Sequence, residues 1–132
     1  MDFPRPKPTI HHDNYVFWEG CKQHKLMIQK CANCGKLQHP PRPMCSACNS
    51  LDKEYVEASG KGEVHSFFIG ERSLHPLFPP GFNMVLVDLE EGVRIVATIV
   101  DAEPDQIDFG TKVVLDFIDE EDWSLPVFRL AE

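Results

Sequence analysis

At 132 residues and 15.0 kDa, with 42% apolar residues, the chain can build one ordinary domain, or two small modules if a metal replaces the core of one. Its formal net charge of -8 is unevenly spread: residues 1–59 carry eight Lys/Arg against six Asp/Glu, and residues 60–132 carry five against fifteen. A groove that follows nucleic-acid phosphates is basic, because counterion release supplies much of its affinity, so this balance argues against a nucleic-acid binder.

Residues 1–8 contain no apolar run of signal-peptide length and no later stretch is long enough to span a bilayer, which makes a cytoplasmic protein the expectation. Pro4, Pro6 and Pro8 at alternate positions make an extended arm, since proline fixes φ and disfavours helix in the residue before it. Asp13 is placed to cap a short helix on which Tyr15, Phe17, Trp18 and Cys21 crowd one face. So apolar a face needs cover, from the rest of the chain or from another subunit. Residues 26–30 then read as a short strand running into the first cysteine.

Cys31-Ala32-Asn33-Cys34-Gly35 and Cys45-Ser46-Ala47-Cys48-Asn49 are two matched knuckles. In each, two thiolates three positions apart converge on one ion, and the backbone turns sharply after the second, where glycine and asparagine are tolerated. In a reducing compartment such pairs bind metal more often than they form disulfides. Four thiolates make a closed tetrahedral site suited to one structural Zn2+ per chain, with no open position for water or substrate. Iron in a rubredoxin-like site uses the same ligands and stays open as an alternative. Pro40, Pro41 and Pro43 stiffen the loop between the knuckles, His39 is a candidate donor to a sulfur, and Cys21 reads as a small core residue.

Gly60 and Gly62 mark a boundary, after which residues 64–69, 84–89, 93–100, 113–118 and 125–130 read as five strands. Glu90-Glu91-Gly92 supplies a tight turn, and residues 104–109 a helical turn before the fourth strand. Five strands with a short helix between the third and fourth is the plan of an OB-fold barrel, with a small open sandwich as the alternative. The long apolar connection at 73–82 should cover something: the end of its own barrel, a docking surface or an acyl channel. The run 119–122 reads as a solvated acidic loop. No nucleophile–base motif, phosphate-binding glycine loop or open metal site is evident, and neither Cys21 nor His75 has an apparent catalytic partner.

In order, the Phe17-Trp18-Glu19-Gly20 helix, the strand into the first knuckle, the proline loop into the second, Ser59-Gly60-Lys61-Gly62 and the terminal Leu125-Pro126-Val127-Phe128 are distinctive. Together they resemble the acyl-CoA-associated zinc-ribbon/OB-fold family over nearly the whole chain. The resemblance implies a mainly β protein: an arm and docking helix over residues 1–30, a rubredoxin-like zinc ribbon over 31–59 and a five-stranded OB-fold barrel over 60–132. It implies a non-catalytic accessory subunit of a thiolase-like aldolase or acyltransferase, steroid side-chain cleavage included, with acyl-CoA held mainly by the partner. On the same basis Phe17 and Trp18 become candidate docking residues, and Phe78 and Phe82 candidate channel or interface residues. A free-standing acyl-CoA binding module is the alternative function, and a zinc-ribbon/OB nucleic-acid binder is disfavoured by charge.

Overall fold

The computed structural model describes residues 7–11, 13–72 and 80–131. Helix α1 spans Tyr15–Lys22 and begins one residue later than the sequence predicts. Asn14, not Asp13, is its N-cap, and the Asn14 side chain turns upstream, its Oδ1 accepting from the His11 N–H at 2.8 Å. Strands β1 (Met27–Cys31), β2 (Leu37–Gln38) and β3 (Lys53–Glu57) form a small antiparallel sheet in the order β2-β1-β3. Both knuckles project from this sheet.

The larger sheet contains β4 (Lys61–Ile69), β5 (Asn83–Leu89), β6 (Arg94–Ala97), β7 (Lys112–Asp119) and β8 (Ser124–Leu130), in the order β6-β5-β4-β7-β8. Period-two patterning drives these strands: in β5, Asn83, Val85, Val87 and Leu89 point inward while Met84 is exposed. Gly92 closes the β5–β6 hairpin at φ +90°, as its turn position predicts. The helical turn before β7 is shorter than expected, a 3-10 turn at Pro104–Gln106 closed by a reciprocal capping box between Glu103 and Gln106. The sheet curls until its edges meet. Ile99 pairs in parallel with Phe128, and the Val100 N–H reaches the Phe128 carbonyl at 2.9 Å. That closure is the OB-fold arrangement rather than an open sandwich.

Two expectations change. Gly62 lies inside β4, not at a boundary, and faces Leu89 across the ladder. A Cβ there would stand 2.6 Å from the Asp88 carbonyl oxygen, so the strands approach too closely for any side chain. Nor does the compositional division produce two cores: Phe17, Cys21, Leu26 and Ile28 of the first half belong to one buried cluster with Val64, Val87, Val113 and Phe128 of the barrel. Helix and ribbon strand thereby form a lid on the barrel.

Candidate metal centre

The ribbon sheet brings the four predicted ligands to one point. Cys31 ends β1, where its N–H takes the Lys36 carbonyl at 2.8 Å, and Cys45 receives the same support from the Ser50 carbonyl at 2.9 Å. After each second cysteine the chain turns left-handed, at Gly35 (φ +81°) and Asn49 (φ +64°), the two residue types that enter this region most readily. The returning amides of Gly35 and Asn49 then bond the carbonyls of Cys31 and Cys45, each at 2.9 Å.

Cys31 and Cys48 sulfurs lie 3.5 Å apart, those of Cys34 and Cys45 3.7 Å apart, and all four lie within 4.8 Å of one another. Four sulfurs bound tetrahedrally at about 2.3 Å to one zinc ion stand about 3.8 Å from each other, so the cluster already has the dimensions of a Zn–S4 site. Backbone N–H groups of Cys34 and Ala47 point at the Cys31 and Cys45 sulfurs, each at 3.4 Å, and Asn33 Nδ2 reaches the Cys48 sulfur at 3.5 Å.

These donors prepare charge. The Cys34 amide, with help from the neighbouring groups, draws the Cys31 thiol down to about 6, and the amides of Cys48 and Ala47 lower Cys45. At Cys34 the Lys36 amide favours the thiolate, but burial and the three other sulfurs outweigh it and push the thiol to about 11. Without a cation Cys31 favours the thiolate and Cys34 the thiol; a divalent ion allows all four to ionise together. The residues therefore fit one structural zinc, closed to substrate.

His39 is not a sulfur donor. Its ring packs 5.1 Å from that of Phe17, Nδ1 has no hydrogen-bond partner among the described residues, and burial lowers its pKa. The proline loop is held instead by Gln29, only 2% exposed. Its Nε2 donates to the Arg42 carbonyl at 2.8 Å, and its Oε1 accepts from the Arg42 N–H at 2.6 Å.

The docking role expected of Phe17 finds no surface, because that side chain is 6% exposed and sits in the shared core. The amphipathic face it anchors is covered by the chain itself. Trp18 is half-buried, edge-on to Trp123 at 5.9 Å. Phe82 is half-buried and lies over Gly70, where a Cβ would meet its ring at 2.0 Å, with its edge toward the exposed Phe68. Phe78 and His75 lie outside the described residues. Cys21 is fully buried, and burial pushes its thiol to about 12, far from a reactive thiolate.

The acidic run is solvent-exposed, as expected, and two of its carboxylates are also paired. Asp122 meets the Lys7 ammonium at 2.6 Å, while Asp119 accepts from Ser124 Oγ at 2.6 Å and meets His24 Nε2 at 2.8 Å. Serine, aspartate and histidine thus come together, but with the carboxylate in the middle. The serine donates to Asp119 and, among the described residues, no imidazole is positioned to take its proton, so the trio lacks the order of a nucleophile–base pair.

Comparison with known proteins agrees with this architecture. Residues 18–54 match the family described as "ChsH2, rubredoxin-like zinc ribbon domain", and residues 55–117 match "ChsH2, C-terminal OB-fold domain". A probable enoyl-CoA hydratase alpha subunit of Thermomonospora curvata is 44% identical over 128 residues, 96% of this chain and 40% of that protein. The chain thus spans about two fifths of that relative's length. The benzoylsuccinyl-CoA thiolase subunit BbsA of Thauera aromatica is 32% identical over 102 residues, 73% of this chain and 68% of that protein. Among solved structures, a chain of the Ltp2-ChsH2(DUF35) aldolase superimposes with a TM-score of 0.90 at 42% identity, covering 96% of this chain and 100% of that one. The chain belongs to the ChsH2 family of zinc-ribbon/OB-fold (DUF35) proteins.

Proposed function

We propose that this chain is a non-catalytic accessory subunit that docks on a thiolase-like enzyme acting on an acyl-CoA, with cleavage of a steroid side chain as the narrower reading. The likeness to a chain of an Ltp2-ChsH2(DUF35) aldolase over 96% of the present sequence carries the reading. A relative that is itself a thiolase subunit supports the class of partner. The site chemistry is consistent with support rather than turnover: the metal's ligands are four thiolates, Ser124 donates to Asp119 with no base on it among the described residues, and Cys21 is sealed in the core.

A subunit of this kind needs a face for its partner. On the outside of β4, β5 and β6 the side chains of Phe68, Met84 and Val96 are 55%, 36% and 61% exposed, and Phe68 and Met84 stand opposite each other in the ladder. Exposed apolar side chains grouped on one sheet face are characteristic of an interaction surface. The same face is unsuited to nucleic acid, because its Arg94 is already paired with Asp88 at 2.6 Å.

Purification of the tagged chain from its native host, with mass-spectrometric identification of co-eluting proteins, tests the proposal. A thiolase-like enzyme in stoichiometric amount is the expected result. Recovery of the chain alone, or with enzymes of other classes only, would contradict it.

A further inference from the structure

The ribbon sheet ends on β3, and among the described residues β1 is the one strand that pairs with it. The phase of that ladder decides where the backbone of β3 points. The Ala58 N–H donates to the Leu26 carbonyl at 2.8 Å and the Ala32 N–H to the Asp52 carbonyl at 3.1 Å. In a register that sets Ile28 against Val56 and Lys30 against Glu54, the even-numbered residues of β3 therefore bond to β1. Lys53, Tyr55 and Glu57 turn their N–H and C=O groups to the opposite edge, where they have no partner among the described residues.

Proteins commonly blunt an open edge with charge, and β3 is charged at Lys53, Glu54 and Glu57. Glu54 is met within its own sheet by the Lys30 ammonium at 3.5 Å. Lys53 and Glu57 have no ion-pair partner among the described residues, and the Lys53 ammonium donates only to the Pro43 carbonyl, at 3.1 Å. None of the five residues is buried. Alternation puts Lys53, Tyr55 and Glu57 on one face of the sheet, with Tyr55 in the middle. Laid antiparallel to itself about Tyr55, the strand sets Lys53 opposite Glu57 of a second copy, Tyr55 opposite Tyr55, and Glu57 opposite Lys53. Opposite charges and paired aromatic rings are favourable cross-strand neighbours. The same centre suits the backbone, because the residues it pairs are the three whose N–H and C=O groups point outward. A slip of two residues either way loses both ion pairs.

We propose that β3 pairs with β3 of a second copy of this chain, antiparallel and centred on Tyr55, joining two ribbons into one continuous sheet. The inference goes beyond the accessory role above and does not depend on it. The charges that keep foreign strands off this edge select its own copy. A paired molecule would carry the apolar face on β4–β6 twice, and so could hold two partner enzymes in one assembly.

Sedimentation velocity of the zinc-loaded chain from about 0.01 to 1 mM, the range suited to so small an interface, tests the pairing. A reversible monomer–dimer equilibrium is expected. Lys53→Glu and Glu57→Lys should each move its midpoint roughly tenfold or more upward, because like charges then face each other, and the two substitutions together should restore it. Amide exchange at both ends of the concentration range reads the edge itself. The amides of Lys53, Tyr55 and Glu57 should slow at the high end, while those of Glu54 and Val56, already bonded to β1, stay as they were. The proposal is overturned by a monomer throughout, by a dimer indifferent to both single substitutions, or by a zinc-retaining double variant that stays apart. It is also overturned if the three amides slow only when a thiolase-like enzyme is added, which would assign the edge to that partner. No partner enters the sedimentation runs, so failure here and failure of complex formation are separate results.

Discussion

Each of the four cysteines sits where a backbone amide meets a sulfur or a tight turn brings it home, so the ribbon's small sheet and its ion are mutually dependent. Cys34→Ser or Cys45→Ser should abolish zinc binding and unfold the ribbon, because closed zinc sites contribute folding free energy on the order of 10 kcal/mol. Metal content and far-ultraviolet circular dichroism check this together, the expected result being loss of both metal and ordered structure. Gln29 makes a second, less visible contribution. Gln29→Leu preserves the volume of the side chain but leaves the Arg42 N–H and carbonyl unpaired, and should cost about 1–3 kcal/mol in urea unfolding with zinc still bound. The cysteine ligands were legible in the sequence because their spacing is a local property. Gln29 was not, since a glutamine in a strand reads as polar surface until the loop 13 residues away folds over it. Asn83 was hidden in the same way: its side chain bonds the backbone N–H and carbonyl of Ile99, at 2.7 and 2.9 Å.

At the scale of elements, the barrel strands were readable from alternation and turn residues, and their ends moved by only a few positions. Helix α1 was readable as an amphipathic helix, but not what covers it. The sequence offers two kinds of cover, and the structure uses Leu26, Ile28 and the barrel interior. Phe17→Ala should therefore destabilise the chain by about 3–5 kcal/mol, the loss found on truncating a core aromatic. Thermal or chemical denaturation of the isolated chain suffices to show it, with no partner present. A second link between elements is electrostatic. The hydroxyl of Ser124 and the His24 imidazole hold the Asp119 carboxyl below its ordinary value of 3.8. A depressed carboxylate stabilises the fold above its unfolded-state pKa and ceases to do so as pH falls through that value toward the folded-state pKa. Asp119→Asn should therefore show a shallower loss of stability than the parent chain as pH falls below 3.8, while being less stable at neutral pH. Paired melting curves at several pH values, on zinc-loaded protein, measure the difference. This contact joins residues 95 positions apart, which is why the sequence showed the solvated acidic run but not its pairing with His24.

For the whole molecule, the shared core changes what the metal does. Zinc fixes the ribbon, the ribbon strand and α1 cap the barrel, and the barrel presents an apolar outer face on β4–β6. In the role proposed for this chain, the ion acts on a partner through the rigidity it gives the ribbon. Family membership, read first from the order of helix, knuckles, proline loop and glycine entry, is now supported along residues 18–117. The most direct test measures acyl-CoA turnover by the co-purified thiolase-like enzyme alone, by this chain alone, and by the two mixed, with the chain zinc-loaded or carrying Cys34→Ser. The account predicts no turnover by the chain, full turnover only in the mixture with zinc-loaded chain, and loss of that gain with the variant; turnover by the isolated chain, or equal support from the zinc-free variant, would contradict it.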